Sequence, residues 1–244
     1  MRRICIVTSS RSDYSRCKSV AEGVLAHPDL ELQLVVTGSH LLPAHGLNVQ
    51  EIEHDGLPIT ERIATNLEGA TPETMAISTG IGIQEFARAF ARLKPDVVVA
   101  VTDRFETLAV ATAAALSNII VAHIQGGEVT GTIDESIRHG VTKLSHLHFA
   151  ATEGARQRVI RMGEPPERVW NVGCPATDLL LRVQLSGMDW ATYSEIPLSK
   201  PLLVLQHPVT TEYSEAMQQR QEVLSGVHRA RGELCVVEIG PNHD

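Results

Sequence analysis

Two short runs, "PDVVVAVTD" at 95–103 and "IIVAHI" at 119–124, constrain this chain more than any other feature. Such near-continuous apolar runs are typical of strands buried on both faces of a parallel sheet, where helices cover each side. Between them lies "RFETLAVATAAALSN", an Ala-rich segment with helical spacing. The same alternation extends both ways. Upstream, "RICIVTS", "LELQLVVTGS" and the extended piece "PITERIAT" are strand-like, and "DYSRCKSVAEGVLAH" and "PETMAISTGIGIQEFARAFARLK" are helical. Pro72 suits the first turn of the second of these helices. Downstream, "DESIRHGVTKLSH" reads as a helix, "LHFAAT" as a strand, the next segment as a helix through Met162, "RVWNVG" as a strand, and a final helix starts near 175. Strand and helix alternating this often predict an α/β fold with a mostly parallel, doubly wound, Rossmann-like sheet.

The rhythm breaks at "LSGMDWATYSEIPLSK" and restarts with "PLLVLQH", a helix at 211–231 and "ELCVVEIG". The expected organisation is an N-terminal Rossmann-like domain at 1–185, a linker at 186–200, and an incomplete start of a second Rossmann-like domain at 201–244. One βαβ unit is too small to close a core alone.

A net charge of −8 argues against nucleic acid or an acidic membrane as the main partner. It leaves room for a small anion held by a few focused arginines. Cys5, Cys17, Cys174 and Cys235 show no CxxC and no ligand spacing, which fits a reducing cytoplasm and gives no zinc site. "MRRICIVTSS" has too short an apolar stretch for a signal peptide and reads as a first strand. Nothing elsewhere is long enough to span a bilayer.

In open α/β sheets, ligands bind beyond the carboxyl ends of the strands. The polar residues following each strand are Ser9, Ser10, Arg11 and Asp13; His40; Asp103 and Arg104; His123, Gln125 and Glu128, then Asp134 and Arg138; and His207. Several have plain structural readings. "DRFE" fits a capping box with Asp103 as N-cap and Glu106 three residues on, and "TIDE" fits one on Thr132 and Glu135. Gly126-Gly127 suits a turn or a close backbone approach by a ligand. His207 before Pro208 reads as strand punctuation or as a ligand contact, and Arg11 as a phosphate-binding candidate. The convergence on one edge is the signal. No GxGxxG, Walker motif or GxSxG is present, and "HLH" at 146–148 lacks metal spacing.

"TSSRSDYSR", "VTGSHLLPAHG", "VTDRFETLAVATAAALSN", "HIQGGEVTGTIDESIRHGVTKLSHLHF" and "LQHPVTT", in this order, closely resemble the hydrolysing UDP-N-acetylglucosamine 2-epimerases of sialic-acid biosynthesis. The resemblance implies a glycosyltransferase-B-type architecture with the second domain truncated and a UDP-sugar as substrate. The activity implied is removal of UDP from UDP-N-acetylglucosamine by elimination, then hydration to N-acetylmannosamine, without a cofactor or catalytic metal. It also implies a cytoplasmic enzyme, a homo-oligomer is expected, and the chain by itself, with its second domain truncated, is expected to be inactive as an epimerase. Asp103 and Asp134 match two acids that the family uses in catalysis. Arg11 and His207 match residues at the nucleotide's phosphates, and Arg104 and Arg138 match the family's "DR" and "SIRH" motifs. Many members carry Glu where this chain has Gln125, and Gln cannot exchange a proton at neutral pH. Either Glu128 or another acid takes that role, or activity is reduced. The alternatives are a glycosyltransferase of the same architecture and a non-catalytic UDP-sugar-binding module.

Overall fold

A computed structural model of the protein describes residues 1–43, 47–69, 71–182, 201–207, 210–232 and 234–239. The chain divides into two compact units, Met1–Arg182 and Val183–Asp244. The linker expected at 186–200 lies outside the described residues, as does Pro208.

The first unit holds seven strands: β1 (Arg2–Thr8), β2 (Leu30–Thr37), β3 (Ile59–Ile63), β4 (Val97–Val101), β5 (Ile120–Ile124), β6 (Leu147–Ala150) and β7 (Val169–Asn171). They form one sheet in the order β3-β2-β1-β4-β5-β6-β7, and every neighbouring pair is parallel. The helices are α1 (Arg11–Ala26), α2 (Val49–His54), α3 (Pro72–Leu93), α4 (Phe105–Leu116), α5 (Ile133–Leu144), α6 (Glu153–Arg161) and α7 (Pro175–Arg182).

Period-two alternation divides the core into two layers. Cys5, Val7, Val98, Ala100 and Val121 pack with Phe86 and Phe90 of α3, Val110 of α4 and Val141 of α5. Ile6, Val99, Val101, Ala122 and Ile124 pack with Tyr14 and Cys17 of α1 and Ile52 of α2. A central strand is therefore apolar at nearly every position, which explains the apolar runs that dominate the sequence. The strand order reverses between β1 and β4, so the crevice for a ligand opens where their carboxyl ends diverge.

Local signals agree with the fold. Pro72 is the first residue of α3, behind a reciprocal capping box of Thr71 and Thr74. Ser10 caps α1, its side chain accepting from the Asp13 amide.

In the second unit, β8 (Pro201–Leu205) pairs in parallel with β9 (Cys235–Ile239), linked through α8 (Ala216–Ala230). The single helix expected at 211–231 is divided: Thr210–Glu215 is 3₁₀, with Glu212 outside helical geometry. Two threonines and a serine in this stretch favour local turns over α-helix. The α8 residue Arg220 is paired to Glu238 of β9 at 2.7 Å.

Candidate active site

Asp103 is not the cap of α4. That position belongs to Arg104, which makes no side-chain capping bond. The Asp103 carboxylate instead accepts from Nη2 of Arg138, a buried α5 residue whose Nη1 donates to the Glu128 carbonyl at 2.8 Å. One guanidinium thus ties the end of β4 to the loop after β5. The capping-box reading failed because Asp serves equally as a cap and as an ion-pair partner, and only the arrival of α5 decides between them.

The second expected box is also absent. Thr132 is the N-cap of α5, yet its hydroxyl donates to Oδ2 of Asp134 at 3.1 Å. Glu135 accepts instead from the amides of Thr130 and Gly131, at 2.7 and 2.9 Å. The Gly131 and then the Thr130 hydrogen bond hold its pKa below the ordinary value. Its role stays structural, on a different pair of amides.

Asp134 is half-buried. Burial raises its pKa, and the negative charge of Asp103 raises it further, against the Thr132 hydrogen bond and the charges of Arg104 and Arg138. Two carboxylates therefore share a cationic environment, one fixed in an ion pair and the other pushed toward its protonated form. That division suits acid–base work at two positions of one substrate.

Arg104 is buried, its Nε 3.1 Å from Oε2 of Glu106 and its Nη2 3.3 Å from Oε1. Asn66 donates to the same carboxylate at 2.8 Å. Burial works against the Arg104 cation, but Glu106, Asp13 and Asp134 outweigh it and raise its pKa. Glu106, expected as a capping residue, is the anchor of this arginine. Asp13 is fully buried and accepts from Ser9 and from Thr102, the latter at 3.1 Å. Burial raises its pKa, opposed chiefly by Arg104. Sequence reasoning placed Asp13 near the crevice without a role; an acid one turn into a helix gives no hint of its partner.

The loop after β5 is shaped by close packing. Gln125 has φ of 62°, its amide donates to the Phe149 carbonyl at 2.8 Å, and its Nε2 donates to Cys174 Sγ at 2.8 Å. A Cβ on Gly126 would stand 2.8 Å from His123 Nδ1, and one on Gly127 2.5 Å from the Ala155 carbonyl. The glycine pair is therefore required by the chain's own approach, within a turn whose carbonyls bind Arg138 and Arg158. Glu128 is half-buried.

The structure thus brings Asp103, Arg104, Asp134, Arg138 and the Glu128 backbone together at the carboxyl edge. Gln125 belongs to the same loop with its side-chain amide turned to Cys174. Arg11 is the exposed first residue of α1, following β1. His207 is exposed and belongs to the second unit, after β8. Among the described residues no three His, Cys, Asp or Glu side chains are grouped to hold a metal ion, and no helix is long and apolar enough to cross a membrane.

Residues 23–244 match the family model described as UDP-N-acetylglucosamine 2-epimerase. The chain is 37% identical to the UDP-N,N'-diacetylbacillosamine 2-epimerase (hydrolyzing) of Legionella pneumophila, covering 100% of this chain and 65% of that protein. It is 33% identical to the UDP-N-acetylglucosamine 2-epimerase of Neisseria meningitidis, covering 64% of that relative. The chain therefore spans just under two thirds of the length of these curated relatives. In fold it resembles the crystal structure of the Neisseria meningitidis UDP-GlcNAc 2-epimerase bound to UDP-GlcNAc, with a TM-score of 0.80 at 18% identity over 98% of this chain and 66% of that one. A Glycyrrhiza uralensis UGT73P12 structure matches less closely, at a TM-score of 0.57 and 11% identity over 99% of this chain and 63% of that one. With its Rossmann-like parallel sheet and a family match that covers most of its length, the chain belongs to the UDP-N-acetylglucosamine 2-epimerase family.

Proposed function

We propose that this chain carries the acid–base half of a hydrolysing 2-epimerase that turns UDP-GlcNAc, or a closely related UDP-HexNAc, and water into N-acetylmannosamine, or its counterpart, and UDP. The observation that carries this reading is the pairing of Asp103, held by Arg138, with Asp134, whose pKa is raised partly by Asp103 itself.

The C2 proton of the sugar is not acidic, so its removal must accompany departure of UDP from C1. Asp103 takes that proton, the C1–O bond breaks, and its electron pair leaves with UDP as C1=C2 forms. Cations hold the diphosphate as charge builds on it; Arg11 and Arg104 are the proposed groups in the first unit, and His207 is proposed as a nucleotide contact from the family resemblance alone. Asp134, whose pKa is raised, then acts as the general acid and delivers a proton to C2 from the other face while water adds at C1. The water's second proton returns to Asp134, and Asp103 releases its own to solvent. Protonation on the opposite face inverts C2. Gln125 takes no proton in this scheme, and Glu128 is the remaining acid of its loop.

The names of similar proteins support the chemistry: two relatives are termed hydrolyzing and a third is an Escherichia coli polysialic acid biosynthesis protein. We place the enzyme in the cytoplasm as a homo-oligomer, with no cofactor. The test is incubation of the protein, continued through the segment that its relatives carry beyond the matched residues, with UDP-GlcNAc and, separately, with UDP-N,N'-diacetylbacillosamine in water, followed by chromatography of the free sugar. Release of the 2-epimeric sugar with UDP is expected. Two features favour other readings: the fold is shared with UGT73P12, and Gln125 stands where the family resemblance leads one to expect an acid. A strict transferase gives no free epimer from UDP-sugar and water alone, and a binding module gives binding without turnover.

A further inference from the structure

The strand β5 is buried from Val121 to Ile124, and its one polar residue, His123, is itself fully buried. A buried imidazole is costly unless its nitrogens find partners. Its Nε2 lies 2.8 Å from the Thr102 carbonyl and its Nδ1 3.2 Å from Thr142 Oγ1. A carbonyl only accepts, so Nε2 must carry the proton and Nδ1 is left as the acceptor.

Thr102 is the residue that needs holding. Its φ is 59°, the left-handed region, where a β-branched side chain is strained. Each of its polar groups is engaged. The amide donates to the Ile124 carbonyl at 3.1 Å, the hydroxyl donates to Asp13 at 3.1 Å, and the carbonyl accepts from His123. The next residue is Asp103, paired to Arg138. The Thr142 hydroxyl also lies 3.0 Å from the Arg138 carbonyl, and its single proton serves either that oxygen or Nδ1, so the firm link from His123 to the ion pair runs through Thr102.

We propose that His123, as the neutral Nε2–H tautomer, is a positioning residue that locks Thr102 in its left-handed turn and so sets Asp103 against Arg138. The inference rests on the proposed function for its catalytic consequence, but its structural part stands apart. Burial pushes the His123 pKa down to about 4, aided by His148 and Arg138 and opposed by the Thr102 hydrogen bond and Asp103. The imidazole is therefore neutral wherever the protein is stable near pH 7.

The test compares the native protein with His123→Gln, which keeps an N–H near the Nε2 position, and His123→Leu, which keeps bulk and loses the donor. Carboxyl NMR titration of Asp134 reads the proximity of Asp103. His123→Gln should retain the native midpoint, and His123→Leu should lower it, because the Asp103 contribution is lost while that of burial remains. Turnover of UDP-GlcNAc should fall at least tenfold in kcat, with KM unchanged, in the Leu variant and recover in the Gln variant. A folded Leu variant with native titration and native kcat overturns the proposal. The native protein supplies an independent check through imidazole ¹⁵N shifts. A neutral Nε2–H ring at pH 7 supports the proposal, whereas an Nδ1–H tautomer or an imidazolium overturns it. If the NMR signatures appear as expected but the protein continued through the segment that its relatives carry beyond the matched residues turns over no UDP-sugar, the proposed function fails and the positioning role of His123 stands.

Discussion

Arg138 donates to the Asp103 carboxylate across 35 residues of chain, from a helix interior to a strand end. This contact joins the two segments that carry the candidate acids, because Asp134 stands one turn before Arg138 on the same helix. Asp103→Asn retains an oxygen that accepts from Arg138 but cannot take a proton. Turnover should fall by roughly 10²–10⁴-fold, the range for a general base. Stability should fall by about 1 kcal/mol, because the hydrogen bond is kept and only its charge assistance is lost. Steady-state kinetics and urea unfolding measure the two effects, and native turnover in the variant contradicts the role given to Asp103.

Glu106→Gln tests a different carboxylate of the same strand end. Its side chain and that of Arg104 are 2% and 8% exposed, so the pair is removed from water. Taking the charge from one partner of such a pair costs on the order of 3 kcal/mol. A lowered urea midpoint with unchanged m-value is the expected result. An unchanged midpoint would mean that Arg104 is satisfied without the Glu106 charge.

Gln125→Glu introduces the acid that many resembling proteins carry. The change removes the donor to Cys174 Sγ, a cost of about 1 kcal/mol. Turnover is expected to rise or hold steady while stability drops slightly. A tenfold fall in kcat would show that this loop is built around the amide.

Acid sensitivity follows from the buried histidines. Burial lowers the pKa of His40 and His123 from 6.5 to about 4, so the fold binds their protons less tightly than the unfolded chain does. Their contribution is fully present above pH 6.5 and is lost as pH falls toward 4. Asp13 and Asp134, with raised pKa values, act in the opposite sense and favour the fold as they take up protons. Comparing slopes isolates one group: His123→Gln should flatten the stability curve between pH 6.5 and 4 by about 1 kcal/mol per pH unit at most. Parallel curves for native and variant would show that His123 is not kept neutral by the fold.

The periodic elements were legible in the sequence because burial on two faces demands apolar residues without interruption, and β4 and β5 meet that demand. Pro72 and the glycine pair announced a helix start and a tight loop for equally local reasons. The partners of the polar residues were not legible. Asp103, Glu106 and Glu135 all occupy positions where a cap is chemically reasonable, and each found another partner supplied by the fold: Arg138, Arg104, and the Thr130 and Gly131 amides. His123 did leave a signal, as the lone polar residue within an apolar strand, but its partner Thr102 lies on the neighbouring strand's end. The break at Glu212 was hidden because the downstream helical period runs smoothly through it.

Solvent labelling tests the central claim most directly. UDP-GlcNAc is incubated in deuterium oxide with the protein continued through the segment that its relatives carry beyond the matched residues, and the free sugar is examined by proton NMR. If Asp103 removes the C2 proton and protonated Asp134 supplies its replacement from the other face, N-acetylmannosamine should appear with deuterium at C2, and Asp103→Asn should abolish it. N-acetylmannosamine that keeps its original C2 proton, or labelled product formed equally well by Asp103→Asn, would contradict the account.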